Sequence, residues 1–184
     1  MDRLSASKIF IDDNSYNNVL KMKSAARKLK RKHGLDMIIV DYLQLMAPVK
    51  TGANSSAVQE VTEISRGLKQ LAKELDVPVI ALSQLSRNIE HRGDNAKPKL
   101  ADLRDSGSIE QDADVVMFIH RDKSEDDQKA REEQTELIIE KHRNGQTGMI
   151  NMYFDGSKTS FSEIDGNHDF QAASSSSDDD DFDF

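Results

Sequence analysis

Met37-Ile38-Ile39-Val40-Asp41 is an unbroken apolar run that ends in a carboxylate, and Val79-Ile80-Ala81-Leu82-Ser83-Gln84 repeats the pattern with an amide at its end. Short continuous apolar runs are how parallel strands read when both of their faces are buried. Between them Val58, Val61, Ile64, Leu68, Leu71 and Leu75 recur at spacings of three and four. That is one face of a helix, with Ser56 and Gln59 spaced as a capping box and Asp76-Val77-Pro78 as its stop. Strand, helix, strand is the unit of an α/β domain. A mostly parallel sheet flanked by helices is therefore expected, with ligands taken outside the strands' carboxyl ends, where Asp41 and Gln84 fall.

Upstream, the stretch from Ser15 to Gly34 places Val19, Met22, Ala26 and Leu29 on one face, with Lys21, Lys23, Arg27, Lys28, Lys30 and Arg31 around them. This reads as an amphipathic helix closed by Gly34, its basic side either a solvated face or a nucleic-acid surface. Downstream, Val115-Val116-Met117-Phe118-Ile119 is a third apolar run. Thr135 to Lys141 and Met149 to Phe154 flank Arg143-Asn144-Gly145-Gln146-Thr147-Gly148, the pattern of a C-terminal hairpin, and Phe161 to Ile164 adds one more strand. After Ile164 the pattern stops. Ser174 to Ser177 followed by Asp178 to Asp181 is low-complexity and is expected to be a disordered acidic tail. The expected division is a folded part over 1–166 and a tail over 167–184.

The chain has 184 residues, with 25 Lys and Arg against 33 Asp and Glu, a net charge of -8. Seven of the acids are Asp within 164–184, a stretch without Lys or Arg, so the remainder is near -1. A near-neutral body can carry a local basic patch and hold a polyanion there. No apolar run approaches the roughly 20 residues a membrane helix needs, and the N-terminus has no leader-like apolar region, so neither membrane spanning nor secretion by a leader is expected. With no Cys, a disulfide framework, a thiolate zinc site and a Cys nucleophile are excluded, and a reducing compartment is expected.

An apolar strand ending in Asp can hold Mg²⁺ for a nucleoside triphosphate, usually through water, because the carboxylate stands at the tip of a fixed strand. The same residue can equally cap a turn. Gln84 can sense a terminal phosphate or simply begin a loop. The segment Leu103-Arg104-Asp105-Ser106-Gly107-Ser108 offers backbone N–H groups, two hydroxyls, a glycine that admits close approach, and one cation. That suits a single-stranded nucleic-acid backbone, or an ordinary loop leading into a helix. Lys141 and Arg143 alternate with His142, so the two cations share a face and can reach a neighbour's phosphates, or be plain surface charges. The five histidines form no ligand-spaced cluster, and no histidine metal site is expected.

Taken together and in order, these segments resemble the carboxyl-terminal RecA-like ATPase domain of the bacterial replicative DNA helicase family, DnaB. The carrying residues are Ile9 to Asp13, Ile38-Ile39-Val40-Asp41-Tyr42-Leu43-Gln44-Leu45-Met46, Val61 to Lys69, Pro78 to Arg87, Asp102 to Asp114, and Lys141-His142-Arg143-Asn144-Gly145. The resemblance covers roughly 5–164. It implies a RecA-like fold, a homo-hexameric ring that hydrolyses ATP with Mg²⁺ at subunit interfaces, and movement along single-stranded DNA that separates strands 5′ to 3′ during replication. It implies that Asp41 is the metal-side carboxylate and Gln84 the γ-phosphate sensor. Arg104, Asp105 and Gly107 match the DNA-contacting loop, and Lys141 and Arg143 the pair that reaches the adjacent subunit's ATP. The implied partners are single-stranded DNA, a helicase loader, primase and single-stranded DNA-binding protein, in the cytoplasmic, nucleoid-associated replisome or an organellar counterpart.

Two residues depart from the family pattern: Asp105 stands where Glu is usual, and His142 where Gln is common. The larger departure is that no Gly-x-x-x-x-Gly-Lys-Ser/Thr occurs in the sequence. The expectation is therefore a partial domain without its phosphate loop, first strand or catalytic Glu. It would be marginal in stability and inactive alone, with a non-catalytic DNA-binding or helicase-assembly module as the alternative. The tail Asp178-Asp179-Asp180-Asp181-Phe182-Asp183-Phe184 lies outside that pattern; it reads as solubilising disorder or as a docking peptide.

Overall fold

The computed structural model describes residues 7–14, 17–48, 56–93, 96–121 and 132–164. The acidic tail, and Ser15 and Tyr16 at the start of the expected first helix, lie outside these. The chain divides into two compact units, Met1–Gln84 and Leu85–Phe184.

In the first unit, α1 (Val19–His33) begins at Asn18, whose side chain accepts from the Lys21 N–H, and ends at Gly34, whose φ of 80° few other residues adopt. Strand β1 (Ile38–Val40) follows, then a 3-10 turn (Leu43–Leu45), then α2 (Ala57–Leu75) and β2 (Val79–Ala81). The capping box at α2 is formed: the Gln59 N–H donates to Ser56 Oγ, and the Ser56 N–H to Gln59 Oε1. The two strands pair in parallel, Ile38 with Val79 through Val40 with Ala81, with α2 as the crossover between them.

The inward stripe of α2, Val61, Ile64, Leu68, Leu71 and Leu75, is buried, with Leu71 at 0% exposure. It packs against α1 through a close approach at Gly67, where a Cβ would stand 2.8 Å from Val19 Cγ1. The basic side of α1 contributes to the same packing. Lys23 and Arg27 both pair with Glu74, and Lys30 Nζ donates to the Leu75 carbonyl. Lys23 first, and then Arg27, hold the Glu74 carboxyl below its ordinary value.

In the second unit, 3-10 helices Arg87–Arg92 and Leu100–Ser106 lead into α3 (Gly107–Asp112), followed by β3 (Val115–Arg121), β4 (Glu132–His142), β5 (Gly148–Asp155) and β6 (Ser160–Glu163). These four strands form one antiparallel sheet in chain order. Its core is Leu103, Val116 and Phe118, with Leu85, Leu100, Ile109, Ala113 and Ile138 against it.

The α/β class and the C-terminal hairpin are as the sequence implies, but the described parallel pairing is confined to β1 and β2. Val115–Arg121 joins the antiparallel sheet because the link to β4 spans only residues 122–131, short of the dozen or more that a parallel crossover requires. Burial on both faces is also corrected. Ile39 is 66% and Ile80 41% exposed, because among the described residues of the first unit the helices cover one face of a two-stranded sheet.

Candidate functional site

At the carboxyl end of the parallel pair the backbone itself keeps the strand tips together: the Leu82 N–H donates to the Val40 carbonyl at 2.9 Å, and the Leu43 N–H to the Leu82 carbonyl at 2.9 Å. Asp41 and Gln84 are both exposed just beyond these bonds. Gln44, in the turn after β1, clamps the second tip. Its amide nitrogen donates to Ser83 Oγ at 3.1 Å and to the Gln84 carbonyl at 3.3 Å, while its Oε1 accepts from the Gln84 N–H at 3.3 Å. A side-chain amide used this way fixes the Gln84 backbone and leaves the Gln84 side chain to solvent. The structure thus brings Asp41 and Gln84 to neighbouring strand tips.

Gln44 was not singled out from the sequence. Its signal is a lone amide in an otherwise apolar stretch, Leu43-Gln44-Leu45-Met46, three residues after the strand-end carboxylate Asp41.

These residues fit one side of a Mg²⁺-nucleotide site, a strand-tip carboxylate and a neighbouring amide, while the backbone cradle for the phosphates is absent from the sequence. Among the described residues, no group of three or more His, Asp or Glu has the arrangement of a metal site.

In the second unit, Arg104 and Asp105 lie in the last turn of the Leu100–Ser106 helix, and Gly107 opens α3. Leu103 is buried before this stretch and Ile109 packs on the same core after it, so both ends of the segment are held to the sheet. A second device stiffens the approach. Asp102, 7% exposed, pairs with Arg92 and accepts from the Lys99 N–H at 2.7 Å, while its carbonyl accepts from the Ser86 N–H at 3.0 Å. Burial of a carboxylate is tolerated when it is paired and hydrogen-bonded in this manner.

Lys141 and Arg143 both reach the far end of α3. Lys141 Nζ donates to the Glu110 carbonyl. The Arg143 guanidinium donates to the Gln111 carbonyl at 3.2 Å and pairs with Asp114 at 3.2 Å, and its backbone N–H donates to the Asp114 carbonyl at 2.8 Å. The two cations therefore reach the same element, although Arg143 lies beyond the end of β4 and the ladder shifts register beside Lys141. His142 turns elsewhere, and its ring fills the space where a Cβ on Gly145 would come within 2.3 Å of it. Asp114 was not singled out as a site residue either; only its position just before β3 marks it. A separate open groove of about 470 Å³ runs along α1, lined by Leu20, Lys23, Ser24, Arg27, Lys28 and Arg31. Two of those cations are tied to Glu74, which gives this basic face a structural task.

Against known families, residues 1–163 match the model described as the DnaB-like helicase C terminal domain. The replicative DNA helicase DnaB of Leifsonia xyli subsp. xyli is 46% identical over 162 residues, a match that takes in 88% of this chain and 35% of that protein. Among solved structures, one described as an ATPase domain superposes with a TM-score of 0.80 at 42% identity, covering 89% of this chain and 57% of that one. A DnaB-like replicative helicase, solved in a study of its interactions with primase, gives 0.78 at 42% identity over 89% of this chain and 40% of the other. The chain thus spans about a third of the length of its curated relatives. No helix among the described residues is long and apolar enough to cross a membrane.

Proposed function

The chain belongs to the family of DnaB-like helicase C-terminal domains, and on that premise we propose that it is part of a replicative DNA helicase that couples ATP hydrolysis to movement along single-stranded DNA. The observation that carries this reading is the pairing of two parallel strands whose tips present Asp41 and Gln84, with Gln44 fixing the second tip. In a phosphoryl-transfer site the protein's work is positioning and charge stabilisation rather than covalent chemistry, and rigid strand tips supply the positioning.

Asp41 is proposed to hold the metal side and Gln84 to meet the terminal phosphate. Mg²⁺, when bound, neutralises charge on the phosphate oxygens. Arg104, with Asp105 and Gly107, is proposed to contact the DNA backbone, and Lys141 and Arg143 to act on the ATP of a neighbouring subunit in a ring. Primase, a loader and single-stranded DNA-binding protein are the proposed partners, and a replisome in the cytoplasm the proposed setting. The proposed boundary between folded domain and acidic tail lies at 166. Because the sequence carries no phosphate loop, hydrolysis is proposed to require a polypeptide portion that supplies one, and the chain alone should not turn over ATP.

The test is a graft. Placed in a related helicase subunit in exchange for that subunit's matching segment, this chain should support DNA-stimulated ATP hydrolysis. Asp41→Asn should lower kcat by about 100-fold or more, the scale of losing a charge-positioning group. A folded Asp41→Asn graft that hydrolyses ATP at the parental rate would refute the assignment.

A further inference from the structure

Lys141 and Arg143 do not project freely; both are held at one end of α3, and the proposed DNA segment, 104–107, runs into its other end. Two features make that end attractive to cations. Carbonyls in a helix's last turn lack intrahelical donors, and the macrodipole is negative there. Asp114 adds a full negative charge 3.2 Å from the Arg143 guanidinium.

We propose that the carboxyl end of α3 and Asp114 form a positioning cradle that holds Lys141 and Arg143 back, and that a single strand of nucleic acid engaging residues 104–107 opens it. This rests on the reading of both groups given above. With six residues, α3 is about 9 Å long at 1.5 Å per residue, so a shift at Gly107 reaches Glu110 and Gln111 within two turns. Ile109 and Ala113 pack on the Leu103, Val116 and Phe118 core, and packed elements of this kind shift as units between discrete arrangements. In the cradle, the Arg143 guanidinium is committed to the Gln111 carbonyl and to a carboxylate that opposes its charge. Both must be given up before it can offer its full fork of donors to a phosphate. Asp114 is thus a positioning residue that acts through Arg143, and the arrangement ties trans-acting charge to DNA occupancy.

The probe is oligothymidine added to the isotopically labelled full chain. Binding is read by fluorescence anisotropy, and hydrogen exchange is followed at the Arg143 backbone N–H and the Arg143 Nη–H groups, which make the bonds to Gln111 and Asp114. Saturating oligonucleotide should speed exchange at both positions by about tenfold, a local opening rather than global unfolding. Asp114→Asn should speed basal exchange at the Arg143 guanidinium, shrink the further response to DNA and, because binding no longer has to break that ion pair, raise oligonucleotide affinity by a few fold, which a purely structural role would not produce. Should that variant fail to fold, the wild-type measurement still decides. Binding with Arg143 exchange unchanged or slowed overturns the cradle and leaves the DNA reading standing. Absence of binding overturns the DNA reading of 104–107, and the coupling falls with it.

Discussion

In the first unit Asp41 and Gln84 stand at the tips of two three-residue strands, fixed by backbone bonds and one side-chain amide. In the second, Lys141 and Arg143 leave an eleven-residue strand and are held by carbonyls of a short helix and one carboxylate. The first arrangement is fixed by a βαβ crossover and has little freedom once α2 is packed. The second rests on a helix of only six residues, the element proposed to shift when the cradle opens. Positioning a phosphate and transmitting an event, the tasks proposed for the two units, ask for different supports of this kind.

Core truncation should separate the units most sharply. Leu71→Ala should cost about 2–5 kcal/mol and Phe118→Ala about 3–5 kcal/mol, both buried sites. Hydrogen exchange should then show lost protection in α1, α2, β1 and β2 for the first, and in β3 and β4 for the second. Equal loss everywhere from either change would erase the distinction.

Next is the helix contact of the first unit. Gly67→Ala gains about 1 kcal/mol of helix propensity but forces a Cβ against Val19, and overpacking of this kind costs about 1–3 kcal/mol. The expected net result is a lower urea midpoint; a raised one would mean that α1 moves away at no cost. Removing the cap with Ser56→Ala should cost about 1 kcal/mol, read the same way, and should speed exchange in the first turn of α2 alone.

The smallest effect is in acid. Hydrogen bonds from Ser157, then Lys158, lower the Asp155 carboxyl from 3.8 to about 2. A depressed carboxylate stabilises the folded form above its unfolded value, and the contribution disappears as pH falls through the folded one. The β5–β6 turn should therefore hold at pH 5 and loosen between about pH 4 and 2, followed at the Ser157 N–H, with Asp155→Asn abolishing that pH dependence. Glu74 shifts in the same direction in the first unit, so the α1–α2 ion pairs also weaken in acid.

Much of this was legible in the sequence where the pattern is local. The stripe of α2, its capping box, Gly34 and the hairpin around Gly145 each depend on neighbours in the chain, and each formed as the spacing implies. The strands misled in a particular way. A run such as Met37 to Val40 states that apolar residues are present, not that something covers both faces, and Ile39 is exposed because the cover is on one side. The direction in which β3 pairs was not legible from its composition, because pairing with β4 depends on the length of the next connection. At the candidate site, Asp41 and Gln84 could be placed because strand ends converge in a parallel sheet. Gln44 and Asp114 could not, since each acts through a tertiary contact, to a strand about 40 residues away and to a cation 29 residues away. The roles of Arg104, Lys141 and Arg143 came from the resemblance, and spacing alone left them open.

The most direct measurement is the affinity of the full chain for oligothymidine across a salt series, wild type against Arg104→Ala. The expected result is binding that weakens as salt rises and a loss of about 1–3 kcal/mol, roughly 5- to 150-fold, in the variant, with the salt slope reduced by about 1. Equal affinities and equal slopes for the two proteins would contradict it.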